Sequence, residues 1–384
     1  MAELLFWSAV GLVGYAYLGY PCALKGLASF RRLRVVKGLV TPFVSFIITA
    51  HNEAARIANK LENTLGQDYP ADRWEIIVAS DCSTDGTDAI VAAYAPRVRV
   101  VRAVERRGKE AAQRLAIESA RGEILVFSDV ATALEPHGVT SIVRNFSDPA
   151  VGCVSSVDRF VDEHGRVSGE GAYVRYEMLL RTLETQVNSL VGLSGSFFAV
   201  RREVCARWAP DRQSDFSTLL NAVQLGYRGV LDPETRGHYR TLADPNREFQ
   251  RKVRTVVRGI AVLAAHVGML NPIRYGLFSW QLASHKLCRW LVPFAMMLAL
   301  FTSAALASSS IVYRAAFIAQ AVFYVAAVAG GRTRIAAFRL PWFLVISNLA
   351  VVVAWFRYAR GERIVTWSPS ERTTVVPPTY ARQP

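Results

Sequence analysis

The chain has 384 residues, with 45 Lys and Arg against 31 Asp and Glu, and a formal charge of +14 at pH 7. That length allows two or three structural units. Its five cysteines are scattered, with no Cys-x-x-Cys pair and no Cys/His cluster, which argues against a zinc site or a disulfide framework. No basic-aromatic binding module accompanies the positive charge, so we expect no nucleic-acid partner. Basic clusters beside apolar runs instead favour the cytoplasmic face of a membrane.

Residues 1–24 predict an N-terminal transmembrane anchor. Leu4–Leu24 is mostly apolar, carries no charge and is long enough to span a bilayer. Basic residues follow at once and none precedes it, namely Lys25, Arg31, Arg32, Arg34 and Lys37. This charge asymmetry places the next domain in the cytoplasm, and it is the reverse of the pattern of a cleaved signal peptide.

Strand and helix signals alternate over the next stretch of the predicted domain, which we assign to residues 40–260. β-rich runs cover 43–48, 74–79, 98–101 and 124–127. Helical patterns between them end near residues 65, 94 and 120. Strands alternating with helices of this length predict a parallel sheet with right-handed crossovers.

Each of these strands is followed by polar residues. The first ends in Thr49-Ala50-His51-Asn52-Glu53, the second in Asp81–Thr87, the third leads to Arg106–Lys109, and the fourth ends at Asp129. Any one cluster is also typical of a capped turn, and Asp129 alone favours that interpretation. Four in succession favour a ligand site, because ligands bind outside the carboxyl ends of strands in open α/β sheets.

The second half of this domain contains an acid at a helix start. Val151–Phe160 predicts a further strand, and Gly169–Leu190 predicts an amphipathic helix whose apolar stripe serves core packing. A glycine-punctuated loop, Gly192–Val200, enters another strand. Asp215 then opens a helix that runs to about Leu225.

Glu248–Leu263 predicts a basic helix with two interpretations. Arg251, Arg254 and Arg258 recur every three to four residues and share one face. Such a face suits an anionic lipid surface. It also suits a diphosphate, because the guanidinium fork pairs with phosphate oxygens.

The C-terminal third is predicted to be membrane-bound. We expect interfacial helices over 261–290, with Trp280, His285, Lys286, Arg289 and Trp290 at headgroup depth. Three spans follow within 291–358 (291–307, 311–329 and 340–356), and a polar, irregular tail covers 359–384. Three spans place the tail outside, whereas Arg357, Arg360 and Arg363 place it inside. Either one segment is re-entrant or interfacial, or the charge rule fails here.

These residues meet the needs of a nucleotide-sugar transferase. Glu53 and Asp81 are strand-end acids for the nucleotide. Lys109 and the Arg251/Arg254 pair can stabilise a leaving diphosphate, and Asp215 can act as general base.

The ordered set of motifs resembles membrane-bound family 2 glycosyltransferases of the polysaccharide-synthase type. The resemblance rests on Val44–Glu53, Asp81–Thr87, Arg107-Gly108-Lys109, Gly195-Ser196-Phe197 with Arg201-Arg202, Ser214-Asp215, and Gln250-Arg251-Lys252-Val253-Arg254.

This resemblance implies a GT-A fold, a Rossmann-like mixed α/β sheet, carrying an N-terminal and about three C-terminal transmembrane helices. It implies an inverting hexosyltransferase that uses a nucleoside diphosphate sugar, UDP-linked by our prediction, with Mg²⁺ or Mn²⁺. The acceptor would be a glycan or a lipid-linked glycan, and the enzyme would be a multi-pass protein of the plasma (inner) membrane of a bacterium, with a cytoplasmic catalytic domain.

By the same resemblance, the nucleotide sugar would contact Thr49, Ala50, Glu53, Asp81, Lys109 and Asp129, and Asp129 would also hold the metal. Asp215 would be the base. Gly195, Ser196, Gln250, Arg251 and Arg254 would hold the diphosphate or the acceptor.

The sequence departs from the family pattern twice. The family's Asp-x-Asp is Asp129-Val130-Ala131, so the second carboxylate is absent, and the Trp that ends the synthase motif is Thr255. The first departure leaves the metal dependent on Asp129, phosphates and water. It also motivates an alternative function, a non-catalytic nucleotide-sugar-binding component of a polysaccharide assembly complex. The second departure leaves processivity open.

Overall fold

A computed structural model describes residues 1–161, 172–240, 244–333 and 336–366. The chain forms two compact units. The sheet unit comprises Leu27–Ala243 and Ile364–Pro384, and the helical unit comprises Met1–Gly26 and Asp244–Arg363. The predicted tail beyond Thr366 and the predicted helix start at Gly169 lie outside the described residues.

Within the described residues the helices, in chain order, are α1 (Ala2–Gly14), α2 (Tyr20–Phe30), α3 (Ala54–Leu65), α4 (Thr87–Ala92), α5 (Lys109–Ser119), α6 (Gly138–Val143), α7 (Ala172–Val187), α8 (Ser214–Gln224), α9 (Pro245–Ala265), α10 (Pro272–Tyr275), α11 (Leu277–Leu282), α12 (Arg289–Leu306), α13 (Ile311–Arg332) and α14 (Ala336–Ala359). The strands are β1 (Val44–Ala50), β2 (Trp74–Ser80), β3 (Val98–Arg102), β4 (Ile124–Asp129), β5 (Ala133–Leu134), β6 (Val151–Val161), β7 (Phe197–Arg201) and β8 (Arg228–Arg240).

The strands form one mixed sheet in the order β3-β2-β1-β4-β7-β6-β8-β5. The first four strands of the chain are parallel neighbours, as the alternating pattern predicts. β7 is antiparallel to both β4 and β6, and β5 is antiparallel to β8. This arrangement brings the carboxyl ends of β1, β2 and β4 to one edge of the sheet.

Side chains on both faces of the sheet are buried, because helices cover both. Phe46 and Ile48 of β1 pack with one hydrophobic cluster, and Ile47 packs with a second cluster on the opposite face. All seven residues of β1 are buried, which is typical of a central parallel strand.

Strand β8 was missed by the sequence analysis. Its sequence contains Asp232, Pro233 and Gly237, residues that are typical of turns. Asp232 is fully buried, and its carboxylate accepts hydrogen bonds from Lys37 Nζ (2.8 Å) and Asn145 Nδ2 (2.9 Å). Partners distant in sequence therefore stabilise an acid inside a strand.

The helical unit contains the expected apolar helices. Four continuous helical segments are long and apolar enough to cross a bilayer: Ala2–Phe30, Leu277–Leu306, Ile311–Arg332 and Ala337–Ala359. One is N-terminal and three are C-terminal, as predicted. Residues 277–290, the last part of the range predicted to be interfacial, belong to the second of these segments.

Phe127 lies in β4, the strand that ends at Asp129, and its replacement measures how much core packing stabilises that strand. Its ring stacks between Phe198 (4.8 Å between centroids) and Trp208 (5.1 Å), and it is 1% exposed. We expect Phe127→Ala to lower the free energy of unfolding by about 3–5 kcal/mol through the cavity it leaves. Urea unfolding of the full chain in detergent measures this. Phe127→Leu should cost about 1 kcal/mol, and equal stability of the two variants would contradict the stacking role.

Candidate active site

The carboxyl ends of β1 and β4 lie side by side. Thr49 pairs with Asp129 in the parallel register, and Ala50 pairs with Ser80 of β2. The Asp81 amide donates to the Ala50 carbonyl oxygen (2.9 Å). The sheet therefore brings together four of the predicted nucleotide-contact residues.

Asp81 fixes the loop that leads into α5. Its fully buried carboxylate accepts hydrogen bonds from the amides of Arg107 (2.9 Å) and Gly108 (3.0 and 3.1 Å). Gly108 has a φ of +100°, which favours glycine. The loop thereby sets the position of Lys109, the first residue of α5.

Lys109 connects the strand-end acid to the glycine loop. Its ammonium donates to Asp129 Oδ1 (2.5 Å) and to the Gly195 carbonyl oxygen (3.0 Å). The Lys109 side chain is 13% exposed and the Asp129 side chain is 32% exposed. A ligand can therefore reach this ion pair and share the positive charge of Lys109.

Asp215 lies on the other side of Gly195. A methyl group built on Gly195 would lie 2.8 Å from Asp215 Oδ2, so the Asp215 carboxylate lies close against Gly195. Asp215 is in the first turn of α8, and its Oδ1 accepts a hydrogen bond from the Phe216 amide (2.8 Å). A continuous line of contacts joins Asp129, Lys109, Gly195 and Asp215.

Asp158 is a site residue that the sequence analysis missed. Its Oδ1 accepts hydrogen bonds from the hydroxyls of Ser194 (2.6 Å) and Ser196 (2.7 Å). The Ser196 carbonyl oxygen in turn accepts from the Asp129 amide (3.0 Å). The available signal was that Asp158 is the one acid in the predicted strand Val151–Phe160.

Lys60 supports the turn after Asp129 and was also missed. Its buried ammonium donates to Ser128 Oγ and to the Thr132 carbonyl oxygen, both at 2.7 Å. Burial lowers the pKa of Lys60 to about 7, although Asp129 opposes that shift. The signal was a lysine on the apolar face of α3, in line with Ile57 and Leu61.

Glu53 is a buried carboxyl beside Arg56. The two side chains pair at 2.5 Å, and Glu53 is 3% exposed. Burial raises the pKa of Glu53 to about 7, against the opposing effect of Arg56, and the charge of Asp129 adds to the rise. Glu53 therefore changes its protonation state near neutral pH.

The strand ends also carry backbone strain. Asn52 has a φ of +52° and Cys82 a φ of +54°, values that are uncommon outside glycine and cluster at functional sites. Asn52 Oδ1 accepts a hydrogen bond from the Thr84 amide (2.8 Å), which ties the two loops together. The buried Thr49 hydroxyl has no hydrogen-bond partner among the described residues.

Gln250, Arg251 and Arg254 lie on α9, in the helical unit. Arg251 pairs with Glu248 through two hydrogen bonds of 2.7 and 2.8 Å. Their predicted contact with the diphosphate or the acceptor stays a prediction.

The donor set around Asp129 fits a divalent cation only in part. Among the described residues no group of three His, Cys, Asp or Glu side chains could hold a metal. Asp129 is a single carboxylate at a partly exposed position, and Mg²⁺ is commonly held by one or two carboxylates with substrate phosphates and water. The residues fit a cation whose other ligands come from a bound diphosphate.

Residues 45–208 match the family model described as Glycosyl transferase family 2. This chain contains a glycosyl transferase family 2 domain. The matched range includes the Asp81, Lys109 and Asp129 positions and the glycine loop, so the predicted family is confirmed for the part of the sheet unit that carries these residues.

Curated relatives support the same family. The chain is 32% identical over 118 residues to the succinoglycan biosynthesis protein ExoO of Rhizobium meliloti, a match that covers 30% of this chain and 33% of the relative. It is 26% identical over 201 residues to a beta-monoglucosyldiacylglycerol synthase of Nostoc sp., covering 50% and 42%. The matches thus span a third to somewhat under half of these relatives.

A solved structure confirms the fold. The mannosyltransferase PcManGT from Pyrobaculum calidifontis, solved with GDP-Man and Mn²⁺, has a TM-score of 0.75 and 23% identity, covering 94% of this chain and all of that one. The glycosyltransferase domain therefore has the GT-A fold, as the resemblance implies.

The raised pKa of Glu53 makes stability depend on pH. Between its ordinary value of 4.5 and about 7, the unfolded chain loses the proton that the folded protein keeps. The free energy of unfolding should therefore fall as pH rises through this window, by up to about 3 kcal/mol.

Melting temperatures of wild type, Glu53→Gln and the exposed control Asp72→Asn, measured from pH 4.5 to 7.5, test this. In Glu53→Gln the part of the decrease in stability that Glu53 causes between pH 4.5 and about 7 should be absent, and in Asp72→Asn it should remain. If the melting temperature of Glu53→Gln depended on pH as in the wild type, the raised pKa of Glu53 would be contradicted.

Proposed function

We propose that this glycosyltransferase moves a hexosyl group, with inversion, from a nucleoside diphosphate sugar to a growing surface or exported polysaccharide or a lipid-linked glycan. The observation that carries the proposal is the line of contacts from Asp129 through Lys109 and Gly195 to Asp215. It provides a cation for the leaving diphosphate and a carboxylate for the acceptor within one site.

Asp215 acts as the general base in this proposal. As the acceptor oxygen attacks the anomeric carbon, its proton passes to the Asp215 carboxylate and the carbon–phosphate oxygen bond breaks. A single displacement of this kind inverts the anomeric centre. Helix α8 begins at Ser214, so the carboxylate is held on a regular element rather than on a long loop.

Lys109 stabilises the negative charge that develops on the leaving diphosphate. A bound donor and Asp129 would then share the ammonium of Lys109. Thr49, Ala50, Glu53 and Asp81 hold the nucleotide end at the adjacent strand ends. A Mg²⁺ or Mn²⁺ ion bound at Asp129 would supply further neutralisation of the phosphates.

The proposed acceptors follow the names of the relatives. ExoO is named for succinoglycan biosynthesis, and the Nostoc protein for synthesis of a glucosyl lipid. We infer a UDP-linked donor, while the solved neighbour contains GDP-Man. The basic residues within and directly after α2 support a plasma-membrane enzyme with the sheet unit in the cytoplasm.

One observation favours a second candidate, a non-catalytic nucleotide-sugar-binding component of an assembly complex. Ala131 stands where the family has its second acid, and the ammonium of Lys109 contacts the remaining one. That component would bind UDP-sugars without turning them over.

Asp215→Asn separates the two candidates. We expect donor turnover by purified membranes to fall by about 10²–10⁴-fold, because the acceptor proton has no base, while calorimetric binding of the nucleotide changes less than about threefold. The exposed acid Asp211 provides the matched control Asp211→Asn, with wild-type turnover. Nucleotide binding without turnover in the wild type, across a panel of UDP- and GDP-sugars, would support the second candidate.

The metal prediction rests on Asp129. Chelation with EDTA should abolish turnover, and Mg²⁺ or Mn²⁺ should restore it. Asp129→Ala should stay inactive at every metal concentration, because the one carboxylate that can hold the ion is gone. Ala131→Asp should lower the metal concentration needed for half-maximal activity without raising the maximum. Full activity of Asp129→Ala in either metal would refute this role.

A further inference from the structure

The helical unit resolves the conflict between the number of apolar helices and the basic residues at the end of the chain. We propose that α14 does not cross the bilayer. We call the side of the membrane on which the chain enters the sheet unit the sheet-unit side. Helix α14 lies in the leaflet on this side, and its exposed apolar face contacts acyl chains. Both ends of α14, and the chain after it, are then on that side.

The first and second apolar segments run antiparallel. Phe6 of α1 packs in one cluster with Ala295 and Ala299 of α12. Closer along the chain to residue 26, where the helical unit's first segment ends, the Tyr15 hydroxyl hydrogen-bonds to Ser284 Oγ (2.7 Å) and accepts from Trp280 Nε1 (2.8 Å). The segment Leu277–Leu306 therefore begins on the sheet-unit side and ends on the distal side, beside the start of α1.

Helix α13 returns to the sheet-unit side. At its start, the ring of Tyr313 meets the ring of Phe6 edge-on at 5.2 Å. Further along, Gln320 Nε2 donates to Ser303 Oγ of α12 (3.1 Å). Its 22 residues correspond to about 33 Å of helix, enough to cross the hydrocarbon core, so Arg332 ends on the sheet-unit side.

Both ends of α14 lie beside helix ends on that same side. Near its start, Trp342 packs on Gly330 and Gly331, at the end of α13. Near its other end, Trp355 Nε1 donates to the Trp290 carbonyl oxygen (3.1 Å). Trp290 follows the basic residue Arg289, and about 24 Å of α12 separates it from Leu306. A crossing helix of this length would instead bring Trp355 to the distal loop at 307–310.

Helix α14 runs alongside the amphipathic helix α9 in the same direction. Lys252 Nζ donates to Ser347 Oγ (3.1 Å) and lies over the Phe343 ring (4.3 Å). Later in α9, Gly259 packs against Trp290, which also contacts Trp355. Because α9 begins directly after the sheet unit and has a basic face, it suits the membrane surface, and α14 lies parallel to it.

The chain after α14 supplies an independent argument. A methyl group built on Gly108 would lie 2.5 Å from the carbonyl oxygen of Val365, so residue 365 contacts the sheet unit. Five residues lie between Ala359 and Val365, and the six steps from one to the other extend at most about 22 Å. They are too short to cross a hydrocarbon core of about 30 Å.

The surface of α14 fits a lipid leaflet. Trp342, Leu349 and Phe356 share one face and are 38–56% exposed, and an apolar face of this kind needs a hydrophobic cover. The flanking basic residues, Arg339, Arg357, Arg360 and Arg363, suit anionic headgroups on one side. On the distal side, the loop 307–310 has no basic residue of its own, and Arg314 of α13 donates to the Ala307 carbonyl oxygen (3.0 Å), so four arginines flank α14 against one beside this loop.

Thiol labelling of the full-length protein tests the side of each loop. Cys22, Cys82 and Cys288 are replaced by serine, while Cys153 and Cys205 stay because both are buried. Single cysteines are then introduced as Arg97→Cys in the sheet unit, Ser308→Cys in the distal loop, Thr333→Cys before α14 and Glu362→Cys after it. A membrane-impermeant maleimide is applied to right-side-out and inverted vesicles.

We expect Glu362→Cys and Thr333→Cys to react from the same face as Arg97→Cys, and Ser308→Cys to react from the opposite face. Reaction of Glu362→Cys from the face of Ser308→Cys would overturn the proposal.

A second measurement does not depend on vesicle orientation. The pair Lys252→Cys and Ser347→Cys should be joined by a short bifunctional thiosulfonate, and the control pair Lys252→Cys and Ser308→Cys should not. Failure of the first pair to cross-link in membranes, or cross-linking of the control pair, would overturn the parallel packing of α9 and α14. Neither experiment requires that the sugar-transfer proposal hold.

Discussion

The ion pair between Lys109 and Asp129 is the contact on which the geometry of the site depends. It joins the end of a central strand to the start of a helix, and its second hydrogen bond reaches the glycine loop beside Asp215. Each partner is held independently. Asp81 fixes the loop before Lys109, and Lys60 fixes the turn after Asp129. Because both anchors are buried, the pair is preorganised rather than assembled when a ligand binds.

The absence of a second acid at position 131 changes the electrostatics of this site. Two lysines approach the one remaining carboxylate, Lys109 directly and Lys60 from behind the turn. Lys109 is the cation in direct contact with Asp129, so an anionic ligand such as a diphosphate can compete with Asp129 for its ammonium. Under the proposed function, a divalent cation would depend on the phosphates it accompanies, which would link binding of the metal to binding of the donor.

If α14 lies in the leaflet as we propose, apolar length alone does not define a membrane span. By length and composition α14 is equivalent to α13. The difference lies in its neighbours, since α14 packs on α9 and on Trp290, whereas α13 packs on α12 and Phe6. An in-plane position also accounts for the arginines around α14.

Much of the fold and the site was determined by the sequence itself. The apolar runs and the polar residues that follow them predicted β1 to β4 and the edge where Thr49, Asp81 and Asp129 meet, because strand length and burial on both faces are local properties. Long apolar segments predicted the four membrane-type helices for the same reason.

Only the tertiary structure decided the rest. β8 forms because Lys37 and Asn145, remote in sequence, stabilise the buried Asp232. Asp158 and Lys60 join the site through partners in other elements. The direction of α14 depends on which helix ends it contacts, and its composition carries no information about those partners.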